Sequence, residues 1–398
     1  MLARVQVAVV GGGVIGLACA AELALHGHLV TVYDAAPEAR EASWAAAGML
    51  APHHECQEDG PLYTLVRAGL DAYPAFFQRH GITPDAVDLR QDGSWIPVLD
   101  DRDAHDVAQR AHFLNRHGVP TQWCDASALL AQEPGFARTI RGALLVPGGQ
   151  VNPRLLTAAL QARCHELGVQ VQYRRRVQTL TEAGPIIDGE VHPAATTVLA
   201  SGAWTPALAA ISGMALEGEP VKGQLLRFAC ADGALQRFVH CRHAYLVPRR
   251  GDGVVVGATM VWDGFDKRED AAAIAELAAS ARRLLPTLEN SPIAETWTGL
   301  RPRLHTGLPC IAKARPNLII ATGHFRNGIL LAPLTATCVA ALVDGRETPL
   351  DLSPFNVPNR PASCVLRPAS STEVPNRPAS CVLRPASSTG ITNPKSGS

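Results

Sequence analysis

No C-x-x-C pair occurs in the 398-residue chain; its ten cysteines stand singly along the sequence. That spacing argues against a disulfide framework and fits a reducing, cytoplasmic compartment. Metal-ligand patterns are equally scarce. Adjacent His53 and His54 do not converge easily on one ion, and His240 with His243 finds no second pair at ligand spacing, so no metal is expected. Net charge is lacking too, because 36 basic side chains balance 36 acidic ones. This removes the chain-wide electrostatic reason to expect nucleic acid or an anionic membrane as partner. Residues 357–398 hold five of the basic residues and one acidic residue, which leaves the preceding body net acidic by four. No apolar run reaches the roughly 20 residues of a membrane span. The nearest, residues 327–343, is uncharged but contains Pro333 and reads as a buried helix. The opening run 5–10 stops at Gly11-Gly12-Gly13, too short for a signal-peptide core, and reads as a strand.

What is present describes a globular protein. Hydrophobic residues make up 47% of the chain, which excludes disorder throughout and allows two or three domain-sized units. The one internal repeat lies in the tail, where VPNRPASCVLRPASST at 357–372 recurs identically at 374–389. Two copies are too few for a solenoid, and their proline and serine content offers no apolar face to bury. The tail 357–398 is therefore expected to be disordered and dispensable.

In the body, a strand at 5–10 is followed by glycines and then by Val14, Leu17, Ala18, Ala21 and Leu25 at helical spacing. Gly27 is placed to end that helix, and 29–33 is a second strand, making one βαβ unit. Further strands are expected at 197–200 and 318–321. The segments 224–228, 244–248 and 254–259 instead read as short neighbouring strands of an antiparallel sheet.

Gly11-x-Gly13-x-x-Gly16 sits between the first strand and its helix, the setting in which these glycines have a mechanism. Gly11 permits the turn, Gly13 lets a pyrophosphate approach the backbone, and Gly16 allows close helix packing. The helix N-terminus then offers free N–H groups and a positive dipole end to phosphate. Asp34, at the end of the second strand, can accept the hydroxyl hydrogens of an adenosine ribose and repels a 2′-phosphate. Dinucleotide binding follows, with FAD and NAD both open at this point.

The stretch Glu41-Ala-Ser-Trp-Ala-Ala-Ala-Gly-Met-Leu50 resembles the loop after the second strand in the D-amino-acid oxidase family of flavoproteins, especially its glycine oxidase branch of the thiamine-biosynthesis type. His53-His-Glu-Cys56, Val221-Lys-Gly-Gln224, Ala244-Tyr-Leu-Val-Pro-Arg249, Gly257-Ala-Thr-Met260, Gly299-Leu-Arg-Pro302 and Gly323-His-Phe-Arg-Asn-Gly-Ile-Leu-Leu-Ala-Pro333 continue the resemblance in family order across residues 5–350. Gly323-His324 stands where aromatic hydroxylases carry Gly-Asp, which counts against monooxygenase chemistry.

The resemblance implies an α/β fold: an FAD-binding Rossmann-like βαβ domain (1–81, 150–215, 297–356) with an inserted antiparallel-sheet substrate domain (82–149, 216–296). It implies non-covalent FAD, since Cys310 lacks the context of the sarcosine oxidase cysteine. Val14 and Ile15 would flank the phosphate turn. Ser43, Ala46, Ala47, Gly48 and Met49 would lie along the flavin, with Val177 beside the adenine. Ser201, Gly202 and Trp204 would supply a strand-to-turn contact, and His324, Arg326, Asn327, Gly328 and Ile329 the turn before a helix whose dipole stabilises reduced flavin. By the same analogy Arg301 holds the substrate carboxylate, Tyr245 donates a hydroxyl to it, and Met49, Met260 and Arg326 line the site. Independently of the family, a guanidinium fork matches a carboxylate in two charge-assisted hydrogen bonds.

The implied reaction is oxidative deamination. Hydride passes from the substrate α-carbon to flavin N5, the imine hydrolyses to glyoxylate and ammonia when glycine is the substrate, and dioxygen yields hydrogen peroxide. Expected partners are a small amino acid and dioxygen, with no nucleic acid and no membrane, and a homo-oligomer left open. A dehydrogenase passing electrons to a quinone or carrier is the main alternative. A tRNA-modifying relative is disfavoured by the acidic body and by the lack of a methyltransferase ahead of Met1.

Overall fold

The computed structural model describes residues 4–36, 40–56, 58–242 and 244–358. The duplicated tail from residue 359 and His243 of the second histidine pair lie outside the described residues. The first strand, Gln6–Val10, is buried at four of its five positions inside a six-stranded sheet. It pairs in parallel with Leu29–Tyr33 on one side and Thr196–Leu199 on the other. Val7 and Val9 join the core that the helices cover, while Ala8 and Val10 meet Ile187 and Leu180 of a small three-stranded antiparallel sheet, so the strand has no solvent side and its sequence is continuously apolar rather than alternating. Leu318–Thr322 adds to the sheet in parallel, and Cys310–Arg315 closes that edge as an antiparallel hairpin.

Helix α1 (Val14–Leu25) follows the first strand and is buried nearly all round. Gly27, at φ +90°, takes the left-handed conformation just past its end and donates to the Ala24 carbonyl at 2.9 Å. Helix α2 (Pro61–His80) and helix α3 (Gly328–Asp344) complete the layer, and α3 packs between α1 and α2. That position explains the uncharged run in α3: a helix covered on several sides is apolar all round.

Pro333 lies inside α3 and has no N–H to offer the carbonyl four residues earlier. The Tyr73 hydroxyl from α2 fills that role, donating to the Ile329 oxygen at 2.6 Å. Tyr73→Phe should therefore lower stability by about 1–3 kcal/mol, because a buried carbonyl loses its partner. Thermal unfolding of the two proteins checks this.

The second layer is an eight-stranded sheet. The strands expected at 224–228, 244–248 and 254–259 are present as Gly218–Phe228, Tyr245–Arg249 and Gly253–Gly257. Ile293–Leu304 pairs antiparallel along the whole of Gly218–Phe228. Side chains alternate between two faces. Leu226, Leu246 and Val256 meet Ile274 and Leu277 of helix Ala271–Leu284. Leu225, Val247 and Val255 meet Ala45, Ala47 and Trp297. The sheet thus presents one face to a helix and the other to the segment that follows the second strand.

Candidate active site

A cavity of about 760 Å³ opens between the phosphate-type turn and the face of the second sheet that carries Tyr245. At one end the turn after the first strand supplies Gly11, Gly13, Val14 and Ile15. A Cβ on Gly11, whose φ is +112°, would overlap the Ala200 carbonyl oxygen. One on Gly16 would overlap the Gly11 carbonyl oxygen, so Gly16 serves helix packing and does not line the cavity. Asp34 is locked in place, accepting the Gly12 N–H at 2.6 Å and the Ala36 N–H at 2.7 Å. Ser43 Oγ accepts the Val14 N–H at 2.9 Å, which leaves its hydroxyl hydrogen able to reach an anion at the α1 N-terminus. Val177 lines the same end, and Arg175 and Arg176 join it there without having been singled out in the sequence.

The segment 45–49 forms the middle wall. Its carbonyls are gripped from behind: Trp297 Nε1 donates to Ala45 O at 2.9 Å, Arg249 Nη2 to Ala46 O at 3.2 Å, and Val151 N to Gly48 O at 2.9 Å. Gly48, at φ +93°, lies so close to Val151 that any side chain would strike its carbonyl. Ala46, Ala47, Gly48 and Met49 all face the cavity. Opposite them stand Ser201, Gly202 and Trp204, with Thr322 Oγ1 donating to the Gly202 carbonyl at 3.1 Å. The Phe265 ring packs on Trp204 at 5.4 Å, and Lys267 reaches Glu41 at 3.0 Å, so the segment between 257 and 271 ties the second sheet to both cavity walls.

Arg301 and Tyr245 converge at the other end. Both lie flat on glycine: a Cβ on Gly223 would overlap the Arg301 guanidinium, and one on Gly257 the Tyr245 ring. Arg301 Nη1 also donates to the Thr259 carbonyl at 3.1 Å. These backing residues were missed in the sequence, where a glycine or threonine in a short strand carries no chemical signal of its own.

His324, Arg326, Gly328 and Ile329 line the same end, below the N-terminus of α3. Phe325 between them takes φ +50° and donates its N–H to Pro302 O at 2.9 Å, which fixes this turn to the Arg301 strand. Burial pushes the His324 imidazole down to about 4, so it is neutral at pH 7, with Nε2 3.1 Å from Thr335 Oγ1. Two residues expected here do not line the cavity. Met260 follows the end of strand Gly253–Gly257, and Asn327 instead caps α3, its carbonyl accepting the Leu331 N–H at 2.9 Å. Among the described residues the only carboxylates lining the cavity are Asp34 and Glu41, so the end bearing Arg301 and Arg326 is positive.

His53 and His54 are buried beside this end. His53 Nδ1 is 3.1 Å from the Tyr63 hydroxyl and His54 Nε2 2.7 Å from Ser94 Oγ, while the His54 and His240 rings stand 5.0 Å apart. Burial, then the neighbouring arginines and histidines, hold His54 well below the usual imidazole range. Among the described residues no group of three or more His, Cys, Asp or Glu side chains is arranged to hold a metal ion.

The comparisons with known proteins agree with this geometry. The pattern of the FAD dependent oxidoreductase family, DAO, matches residues 6–342. Among curated relatives, a glycine oxidase of Geobacillus kaustophilus is 35% identical, the match covering 90% of this chain and 97% of that protein. A glycine oxidase of Pseudomonas aeruginosa is 34% identical over 88% of this chain and 98% of its own length. The bifunctional protein ThiO/ThiG of Nostoc sp. is 34% identical, with 88% of this chain matching 54% of that protein. The crystal structure of the Geobacillus kaustophilus glycine oxidase superposes with a TM-score of 0.83 at 33% identity, covering 90% of this chain and 99% of that one. With a glycine turn, Asp34 and a small-residue wall facing one cavity, and with the family pattern running through all of them, the chain belongs to the FAD dependent oxidoreductase family.

Proposed function

We propose that this chain is an FAD-dependent oxidase of the glycine oxidase type, which deaminates glycine or another small amino acid or secondary amine, such as sarcosine or a small D-amino acid. The observation that carries this reading is the convergence of Arg301 and Tyr245 on the cavity that the phosphate turn opens. The 35% identical glycine oxidase, matched over nearly its whole length, supports it.

The residues present fit FAD. Gly11 and Gly48 line the cavity without side chains, and each packs so tightly on the Ala200 or Val151 carbonyl that none could be added. The α1 N-terminus with Ser43 Oγ would meet the pyrophosphate, Asp34 the ribose, and the wall 46–49 the ring system. No cysteine lines the cavity among the described residues, and Cys310 is 1% exposed within an apolar cluster, so we read the cofactor as non-covalently held. When bound, FAD supplies the hydride acceptor, and its reoxidation by dioxygen yields hydrogen peroxide.

The chain's own part is to bind and orient. Arg301 offers its guanidinium fork to the substrate carboxylate and Tyr245 adds a hydroxyl donor. Two contacts to one carboxylate fix how the α-carbon is presented. Arg326 raises the positive potential that draws the carboxylate in. Among the described residues no carboxylate lines this end to hold the substrate as an ammonium ion, and the neutral amine assists hydride departure by forming the C=N bond.

Gly223→Ala should raise KM by about tenfold or more, an effect of ~1.4 kcal/mol, because the methyl group pushes the Arg301 guanidinium off the sheet. Steady-state kinetics, together with an unchanged visible flavin spectrum, checks this. The fusion in the bifunctional relative favours use of the product in thiamine thiazole synthesis. No helix of the described residues is long and apolar enough to cross a membrane, and Cys19, Cys124, Cys164, Cys230, Cys310 and Cys338 are free. The free cysteines favour the cytoplasm. The reading as a whole is tested by mixing holoenzyme with glycine anaerobically: loss of the oxidised flavin absorbance supports it, and an unchanged spectrum with every small amino acid refutes it.

A further inference from the structure

Arg249 ends strand Tyr245–Arg249, two positions beyond Val247 and four beyond Tyr245, on the face turned towards the cavity. The residue is only 3% exposed, yet it does not line the cavity. Its Nη2 donates to the Ala46 carbonyl at 3.2 Å, while Nε and Nη1 have no hydrogen-bond partner among the described residues. The nearby carboxylates are already engaged. Glu295 takes a two-bond grip from Arg154 at 3.0 and 2.8 Å, and Asp252 pairs with Arg227 at 3.0 Å. Burial, then the charge of Arg154, pushes the Arg249 guanidinium down to about 10, so it remains protonated at neutral pH. A buried cation whose one hydrogen-bond partner among the described residues is a main-chain oxygen is expensive to hold, and the ion pairs around it do not account for it.

The position of that oxygen does. In a planar trans peptide the C=O of one residue and the N–H of the next point in opposite directions. Arg249 approaches Ala46 from the side of the second sheet, so the Ala47 N–H points away from that sheet, and Ala47 lines the cavity. Trp297 acts alike one residue earlier through the Ala45 carbonyl. We propose that Arg249 is a positioning residue for the flavin, gripping the Ala46 carbonyl from behind so that the Ala47 N–H is aimed at the ring and polarised by a buried positive charge. The proposal rests on FAD dependence alone, so it stands or falls independently of the substrate assignment.

The test titrates apoprotein with FAD and measures the reduction potential of the bound flavin in wild type, R249M and R249K. R249M should bind FAD roughly 10- to 100-fold more weakly, the range expected for losing one charged hydrogen bond. Its flavin should be harder to reduce, and R249K should recover most of both properties. Wild-type affinity and potential in R249M, or equal impairment in R249M and R249K, would overturn the proposal, since a residue that merely filled space would move the melting temperature alone. Should R249M not fold, R249Q and R249K decide it. Lysine should restore affinity and potential and glutamine affinity only, and equal potentials in the two would overturn it.

Discussion

Arg301→Ala is expected to lower kcat/KM by about 30-fold to several thousand-fold, the equivalent of roughly 2–5 kcal/mol for truncating one partner of a desolvated charge pair. The cavity end where Arg301 sits has no other cation placed on glycine at the sheet surface, and Arg326 lies across on the turn before α3. The flavin should remain bound, because Arg301 lies with Tyr245 on the second sheet while the phosphate turn and the wall 45–49 are built elsewhere. Kinetics with glycine, alongside flavin content by absorbance, reads the result. A loss of only a few-fold with full flavin content would reduce Arg301 to a structural role through its bond to Thr259.

The second large effect concerns a charge network far from the cavity. Asp344 ends α3, where a negative charge opposes the helix dipole. Its side chain is 0% exposed and its oxygens lie 2.8 Å from His26 Nδ1, 2.9 Å from His28 Nε2 and 2.7 Å from Arg346 Nη2. Glu22 of α1 is 2% exposed and meets Arg79 at 3.0 Å and His80 at 2.6 Å. Burial alone would raise both carboxyl groups, but their hydrogen bonds outweigh it and hold both below the usual carboxylate range.

Asp344→Ala leaves the facing histidines and Arg346 without their anion and should cost about 3 kcal/mol. At the size of this body that lowers the melting temperature by about 4 °C. The pH dependence has a definite sign. Carboxyl groups depressed in the folded state contribute stability that is complete above their unfolded values, near pH 4, and is lost as the pH falls through the lower folded values. Wild type should therefore hold its melting temperature from neutrality down to about pH 5, and the gap between wild type and Asp344→Ala should narrow below pH 4. A gap that stays constant down to pH 2 would remove the network from the account.

The parts of the molecule legible in the sequence are those where residue type and spacing carry the mechanism by themselves. Gly11, Gly13 and Gly16 between a strand and a helix, with Asp34 closing the next strand, read as a phosphate turn, and in the structure Gly11, Gly13 and Asp34 line the cavity while Gly16 packs behind it on the Gly11 carbonyl. The uncharged run before Val343 reads as a buried helix and is one. What stayed hidden depends on partners distant in the chain. Tyr73 satisfies the carbonyl that Pro333 abandons, 256 residues away from the Ile329 oxygen it meets. Gly223 and Gly257 matter because Arg301 and Tyr245 lie on them, and Arg249 because of one carbonyl in another layer. Asn327 reads as a ligand-facing residue beside Arg326, but it is the N-cap residue of α3, its carbonyl accepting the Leu331 N–H, and it does not line the cavity.

The most direct test of the oxidase assignment is oxygen uptake by the purified yellow holoenzyme across glycine, sarcosine and small D-amino acids, with hydrogen peroxide measured in the same samples. Uptake with glycine or a close analogue, matched by peroxide and lost in Arg301→Ala, is the predicted result. Flavin that the substrate bleaches while oxygen is left untouched, or no turnover with any member of the panel, would contradict it.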